Sequence, residues 1–327
     1  MKALRIVEFN KNYKLCDDVQ VPTPGPGQLL IKVSAAGFCH TDLMVQQGIS
    51  QVQLPFTGSH EPAGTVVGLG PDIPDTWHVG DRVGVTNFMN PDMCGIIRLE
   101  GGFAEYMTAW HGAVVPVPDS ISFEQAAPLM CAGATVWHAI QQAGLQKEQT
   151  IAIIGIGGLG VLGVQFAKAL GYRVVAVDKH EVGLKLASEV PAHLKPDLIV
   201  GFDDQDTIQK ISDFTDGVGL KAAVICTGDD AANDWAAHRL QPRGTCVVVG
   251  FPEQGFNFDP MNLIFREIVV KGSIHCSMGE VRDMMDVVVK HGVLSHLTLL
   301  SMDEAEDIPA KSVAHAFIGR PVVLIGE

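Results

Sequence analysis

From residue 1 to about 130 the hydrophobic positions fall in short runs, LLIKVSAAG, AGTVVGLG, DRVGV, FAEYMTA and GAVVPVP, with Pro22, Pro24 and Pro26 alternating ahead of the first. Runs of this length, divided by glycine, proline and aspartate, predict β-strands, so this stretch reads as an irregular β domain. After SISFEQAAPLMCAGATVWHAIQQAGL the period changes. TIAIIGIG reads as a strand, GLGVLGVQFAKALG as a helix and YRVVAVD as a second strand, which makes one βαβ unit. DLIVGF, KAAVICTG, GTCVVVGF and EIVVKGSIHC continue the alternation, separated by helical stretches such as DDAANDWAAHRL. The middle third is therefore expected to be a parallel, doubly wound sheet whose strands are apolar throughout because both faces are covered. The tail offers one helical segment, MGEVRDMMDVVVKHG, and a terminal strand, RPVVLIGE, returning to the first domain. The expected fold class is α/β, with a β-rich domain over 1–131, a dinucleotide-binding domain over 132–276 and a return over 277–327. No internal repeat or low-complexity tract interrupts it.

Composition narrows what such a chain does. With 327 residues, 47% hydrophobic and 18% charged, it can bury a large core and divides into two domains. The net charge of −14 offers no basic field for nucleic acid and is repelled by an anionic membrane surface, which leaves small-molecule chemistry as the expectation. The longest apolar run, IAIIGIGGLGVLGV, is broken by glycine and shorter than the ~20 residues that span a bilayer. The start, MKALRIVEFN, carries Lys2, Arg5 and Glu8 and lacks the long apolar segment of a secretory signal, so a cytoplasmic location is expected. The seven cysteines, Cys16, Cys39, Cys94, Cys131, Cys226, Cys246 and Cys276, are scattered and odd in number, which points to free thiols or metal ligands.

GIGGLG matches G-x-G-x-x-G between a strand and a helix, through Gly155, Gly157, Gly158, Leu159 and Gly160. Gly155 permits the tight turn, Gly157 lets backbone amides approach a pyrophosphate, and Gly160 lets the helix pack close to the sheet. The helix N-terminus then presents free N–H groups to the anion. Asp178 closes the next strand, where a carboxylate accepts hydrogen bonds from adenosine ribose hydroxyls and repels a 2′-phosphate. NAD is thus favoured over NADP, a preference the adjacent Lys179 tempers.

A catalytic zinc takes three protein ligands and keeps a fourth position open. Cys39 in GFCHTD, His60 in GSHEPAG and Cys131 in PLMCAGATVW offer such a set, widely spaced in the chain. Each alone reads equally as a small core residue or a lone polar group; together, beside a dinucleotide motif, they read as ligands. Asp42 and Glu61 adjoin these ligands, where carboxylates orient an imidazole and modulate the metal's charge, the alternative being plain solvation.

At these residues, and through GFCHTDL, GSHEPAGTVVGLG, VGDRVGV, GGFAEYMTA, APLMCAGATVWHAI, GIGGLG and GRPVVLI, the chain resembles the zinc-dependent alcohol dehydrogenases of the medium-chain dehydrogenase/reductase family, closest to their microbial branch. The resemblance implies a GroES-like catalytic domain with zinc in a cleft facing a Rossmann domain. It implies that Cys39, His60 and Cys131 hold the zinc, that Glu61 approaches it transiently, and that Asp42 lies behind His60. Thr41 corresponds to the hydroxyl that bonds the substrate oxygen and starts a proton relay. His40 and Arg320 correspond to residues near the cofactor phosphates, and Thr135 to one packed against the nicotinamide. The implied chemistry is reversible hydride transfer between NAD and an alcohol or carbonyl substrate, with zinc polarising the substrate oxygen. A homo-oligomer, dimer or tetramer, goes with the family.

Three departures modify that expectation. The interval TNFMNPDMCGIIRLE holds only Cys94 where relatives carry four cysteines around a structural zinc, so one catalytic zinc and no structural zinc are expected. The position ending the proton relay is Met44, which cannot pass a proton. Ser50 and Asn87 stand where bulky aromatics narrow the pocket in small-alcohol enzymes, which suggests a substrate larger than ethanol. Two other functions fit the fold: a zinc-free quinone or enoyl reductase, and a non-catalytic NAD-binding protein.

Overall fold

In Gln28–Gly37 the buried residues Leu29, Ile31, Val33 and Ala35 alternate with more exposed neighbours, the period of a strand with one face on a core. In the computed structural model, which describes residues 1–50, 52–86, 101–252 and 255–326, this strand is central to the first of two units. That unit comprises Met1–Ala132, Ser277–Met285 and Leu297–Glu327. Its larger sheet runs in the order Leu297–Ser301, Arg320–Leu324, Gln28–Gly37, Glu61–Leu69, Arg82–Val85 and Val114–Pro116, with Tyr106–Trp110 also pairing Gln28–Gly37. A smaller sheet joins Lys14–Cys16, Ala3–Ile6 and Phe56–Thr57. Leu4, Ile31, Val66, Val83, Phe103 and Val323 fill the core beneath.

Register matters at one point. Gly37 lies opposite Glu61 on one side and Val322 on the other, so the two neighbouring strands bring their ends to the same place.

The second unit comprises Gly133–Cys276 and Asp286–His296. Its sheet is parallel, in the order Leu198–Gly201, Arg173–Asp178, Thr150–Ile154, Leu220–Ile225, Leu240–Val248 and Val269–Gly272. This is the doubly wound order in which a ligand binds outside the carboxyl ends of the strands where the order reverses. Thr150–Ile154 is buried at every position, as a central parallel strand must be. Val269–Gly272 departs from the expectation of uniformly covered strands. All four of its residues are exposed, because it is the edge of the sheet and has a strand neighbour on one side only.

The tail is also richer than its sequence pattern suggests. Beside helix Met278–His291 and strand Arg320–Leu324 it forms strand Leu297–Ser301 and the short helix Ile308–Val313, whose six residues are too few for a helical period to register. Among the described residues no helix is long and apolar enough to cross a membrane.

Candidate metal centre and cofactor loop

Two loops and one distorted helical turn deliver the donors of the first unit. Cys39 caps helix His40–Gln46, and its backbone N–H donates to Asp42 Oδ2 at 2.9 Å. His60 follows a turn in which Ser59 adopts φ +66°, a conformation that costs a non-glycine residue energy and persists only where its surroundings demand it. Those surroundings are visible: Ser59 Oγ donates to Gly37 O at 2.8 Å and accepts from Glu61 N at 3.2 Å. Cys131 sits in a π-helical turn, Leu129–Gly133, directly after helix Phe123–Pro128, whose last residue lacks an N–H. The carbonyl of Met130 takes a hydrogen bond from Thr86 Oγ1 at 2.9 Å, which anchors that turn.

These segments bring one donor atom each from Cys39, His60, Glu61 and Cys131 within 4.8 Å of one another. Asp42 organises the group. Its Oδ1 takes the Ser59 N–H and His60 Nδ1, each at 3.1 Å, so the opposite ring nitrogen, Nε2, is the one left for a ligand. That Nε2 is buried and has no hydrogen-bond partner among the described residues. A buried polar atom without a partner costs free energy, and two sulfurs lie beside it. Two thiols, an imidazole nitrogen aimed inward and a carboxylate make up a zinc donor set, so the residues fit the metal.

Electrostatics point the same way. A hydrogen bond from the Cys131 thiol, with the positive fields of Arg320 and His60, holds the Cys39 thiol well below its usual range despite burial. The same contact, together with burial, pushes Cys131 up. The two thiols are thus coupled through one hydrogen bond that favours charge on Cys39 over Cys131. Burial opposes charge on His60, yet Asp42 and Cys39 together more than offset it and raise the imidazole well above its ordinary value. A cation entering here displaces protons, as metal binding at thiol and imidazole sites does.

Glu61, fully buried, is held by Arg320, which is 9% exposed. Arg320 Nε donates to Glu61 Oε2 at 3.0 Å and Nη2 donates to Oε1. Burial raises Glu61 and outweighs the opposing pull of Arg320. A Cβ at position 37 would lie 2.0 Å from Glu61 Oε2, so the carboxylate occupies space that only glycine leaves open. The structure therefore places Arg320 on Glu61.

In the second unit Gly155 turns at φ +88° after Thr150–Ile154, and a Cβ at Gly160 would meet Gly155 O at 2.0 Å. Both positions require glycine. Gly157, Gly158 and Leu159 follow the strand and lead into helix Gly160–Ala169; Gly157 is exposed, with nothing within 4 Å of where its Cβ would be. Asp178 ends strand Arg173–Asp178 and accepts from Ile156 N at 2.5 Å and His180 N at 2.8 Å, so the carboxylate also shapes the glycine loop. Lys179 Nζ reaches Asp229 Oδ2 at 3.5 Å.

Of the remaining expected residues, His40 is exposed and Thr41 half-buried on the first turn of their helix, Met44 is half-buried further along it, and Thr135 is buried in helix Ala134–Gln142. Ser50 is half-buried, its N–H directed at Met44 O. Asn87 and Cys94 lie outside the described residues. Ser59 was absent from the expected set, and no local pattern in GSHEPAG marks its positive φ.

Similarity to known proteins covers both units. Residues 25–119 match the family model described as an alcohol dehydrogenase GroES-like domain, and residues 158–290 that of a zinc-binding dehydrogenase. An alcohol dehydrogenase from Geobacillus stearothermophilus is 30% identical over 344 residues, covering 99% of this chain and all of the relative. Among solved structures, the alcohol dehydrogenase of the hyperthermophilic archaeon Aeropyrum pernix superposes with a TM-score of 0.87 at 27% identity, covering 99% of this chain and 100% of that one. The acetophenone reductase of Geotrichum candidum, solved in complex with NAD, gives 0.81 at 25% identity, covering 99% and 96%. With the donor set, the glycine loop and the strand order already in place, these likenesses settle the family: the chain belongs to the zinc-type alcohol dehydrogenases of the medium-chain dehydrogenase/reductase family, NAD-dependent oxidoreductases built from a GroES-like and a Rossmann domain.

Proposed function

We propose that the chain interconverts an alcohol and its carbonyl compound with NAD at one catalytic zinc held by Cys39, His60 and Cys131. The observation that carries this is that His60 Nε2, buried and with no partner in hydrogen-bond geometry among the described residues, lies beside the Cys39 thiol in a cluster that brings one donor atom each from Cys39, His60, Glu61 and Cys131 within 4.8 Å. Arg320 occupies the fourth donor, Glu61, and three ligands with one open position is what a catalytic zinc requires. When bound, zinc supplies a Lewis acid for the substrate oxygen and NAD supplies the hydride acceptor.

The chain's own residues do the rest. Asp42 fixes the ring of His60 and, through Cys39 N, the helix cap beside it. Thr41 Oγ1 accepts the hydroxyl proton of the alcohol as it gives its own proton up toward water, without help from Met44, which has no transferable proton. Glu61, released from Arg320, serves as a transient extra ligand. Gly155, Gly157, Gly158, Leu159 and Gly160 cradle the pyrophosphate, Asp178 bonds the ribose with Lys179 beside it, and His40 and Thr135, joined by Arg320 once it leaves Glu61, complete the cofactor contacts.

The finer expectations stand as part of the same proposal: no structural zinc, a substrate larger than ethanol, and a dimer or tetramer. Exposed Ile264 and Phe265 on helix Pro260–Arg266 and Val269 and Val270 on the edge strand that follows support self-association. Six free cysteines among the described residues suit a reducing cytoplasm. The test is metal analysis of the purified protein combined with NAD reduction across secondary, aromatic and long-chain alcohols. About one zinc per chain, with turnover lost on chelation and restored by zinc, is expected. Turnover that persists in zinc-free protein would overturn the proposal.

A further inference from the structure

Tyr13 lies 3% exposed in the first unit, and its hydroxyl has no hydrogen-bond partner among the described residues. Its segment is held on both sides: Tyr13 N donates to Glu306 O at 2.9 Å, Gln46 Nε2 donates to Lys11 O at 2.6 Å, and Asn10 N to Gln46 O at 2.8 Å. Gln46 closes the helix that begins after Cys39, so this N-terminal loop braces the element carrying Asp42. The Tyr13 ring stands edge-on to Phe38, the residue before Cys39, at 6.4 Å, and to Phe103 at 5.7 Å. Phe103 N in turn donates to Gly58 O at 2.9 Å. A Cβ at Gly58 would lie 2.8 Å from the Tyr13 hydroxyl, which therefore abuts the turn delivering His60. One aromatic residue thus touches the supports of two proposed ligands.

A buried hydroxyl demands a partner, and one acceptor nearby has capacity to spare. A carboxylate accepts about four hydrogen bonds. Asp42 takes three, two on Oδ1 and one on Oδ2. Ser59, whose N–H Asp42 Oδ1 accepts at 3.1 Å, directly follows Gly58, against which the Tyr13 hydroxyl sits, so both groups face one turn; burial first, and then the negative charge of Asp42, push the Tyr13 phenol well above its usual range.

We propose that Tyr13 is a positioning residue for the metal centre, its hydroxyl supplying the fourth hydrogen bond to the Asp42 carboxylate through one buried water, and so fixing the group that orients His60. The inference rests on the metal proposal above. A hydroxyl without a partner makes the opposite prediction: replacing it with hydrogen then removes a buried unsatisfied group, and Tyr13→Phe is neutral or stabilising.

The experiment combines Tyr13→Phe and Asp42→Asn in a double-mutant cycle, reading zinc release to a chelator and the visible spectrum of the cobalt-substituted protein. Groups that orient metal ligands change affinity by about 10–100-fold, and an indirect one should fall at or below the low end, so release about three- to tenfold faster is expected for Tyr13→Phe, with a shifted cobalt spectrum. In the Asp42→Asn background the same change should add nothing. Release and spectrum unaltered by Tyr13→Phe, or an equal effect in both backgrounds, would overturn the assignment. Should the parent protein take up no metal, the metal proposal itself fails; urea midpoints of the four metal-free proteins then decide the Tyr13–Asp42 bond, additivity refuting it and coupling sustaining it.

Discussion

Arg320 grips Glu61 through both oxygens of its carboxylate, joining residues 259 positions apart across the side-chain-free edge of Gly37. Neither partner has water to fall back on. Breaking such a pair by removing one charge costs about 3–5 kcal/mol, because the survivor stays buried and uncompensated, whereas replacing both with neutral groups of similar volume is often tolerated. Arg320→Met should therefore lower the free energy of urea unfolding by about that amount, and the double variant Glu61→Gln/Arg320→Met should recover much of it. A loss below about 1 kcal/mol in the single variant, the scale of an exposed ion pair, would show that Glu61 is relieved in some other way.

Asp42 is the next point of leverage. It accepts from Cys39 N, Ser59 N and His60 Nδ1, and an asparagine in its place brings one acceptor oxygen and a competing NH₂. Asp42→Asn should weaken zinc by about 10–100-fold in chelator competition while leaving NAD binding to the separate glycine loop unchanged. Equal zinc affinity in both proteins would mean that the His60 ring is set by packing alone.

Much of this was legible in the chain because the signals are local. Gly155, Gly157 and Gly160 sit between a strand and a helix that hydrophobic periodicity marks on either side, and the doubly wound sheet follows from its repeated apolar runs. Cys39, His60 and Cys131 are far apart, and residue type together with family resemblance assembled them before the folded geometry did. The Glu61–Arg320 pair was beyond reach: it depends on the register of three strands meeting at Gly37, and register is a tertiary property. The exposed strand Val269–Gly272 escaped for a related reason, since Val269 and Val270 read the same in the middle of a sheet as at its edge.

Asp178 has two duties that one substitution separates by readout. Its carboxylate holds the glycine loop through Ile156 N, and in the proposed cofactor site its charge would repel a 2′-phosphate on the adenosine ribose. Asp178→Ala should weaken NAD and raise the NADP/NAD ratio of kcat/KM about tenfold or more, the scale of ~1.4 kcal/mol of relieved repulsion. A ratio equal to that of the parent enzyme, with NAD binding alone impaired, would confine Asp178 to its loop-holding role.

Cys226 and Cys246 carry a pH signature of the second unit. Cys246 is buried and Cys226 half-buried, and the loss of solvent pushes both thiols up to about 12, against about 8.5 in an unfolded chain. Below about pH 8.5 both states hold the proton and the groups contribute nothing to pH dependence. Between about 9 and 12 the unfolded thiols ionise while the folded ones do not, so the unfolded state binds fewer protons and stability falls as pH rises, by up to about 1.4 kcal/mol per pH unit for each thiol. Tyr13 and Tyr172, also raised by burial, add to the decline in the same direction above about pH 10. The double variant Cys226→Ala/Cys246→Ala should therefore lose less stability between pH 8 and pH 10 than the parent protein, measured by urea unfolding at each pH. Iodoacetamide at pH 8 should spare both cysteines in the folded protein and label both in urea, because the thiolate is the reacting form and the fold withholds it. Equal pH slopes with and without the two thiols, or labelling of Cys246 at the rate of an unfolded peptide, would mean that the central sheet admits water to the strands Leu220–Ile225 and Leu240–Val248 and that their burial does not persist in solution.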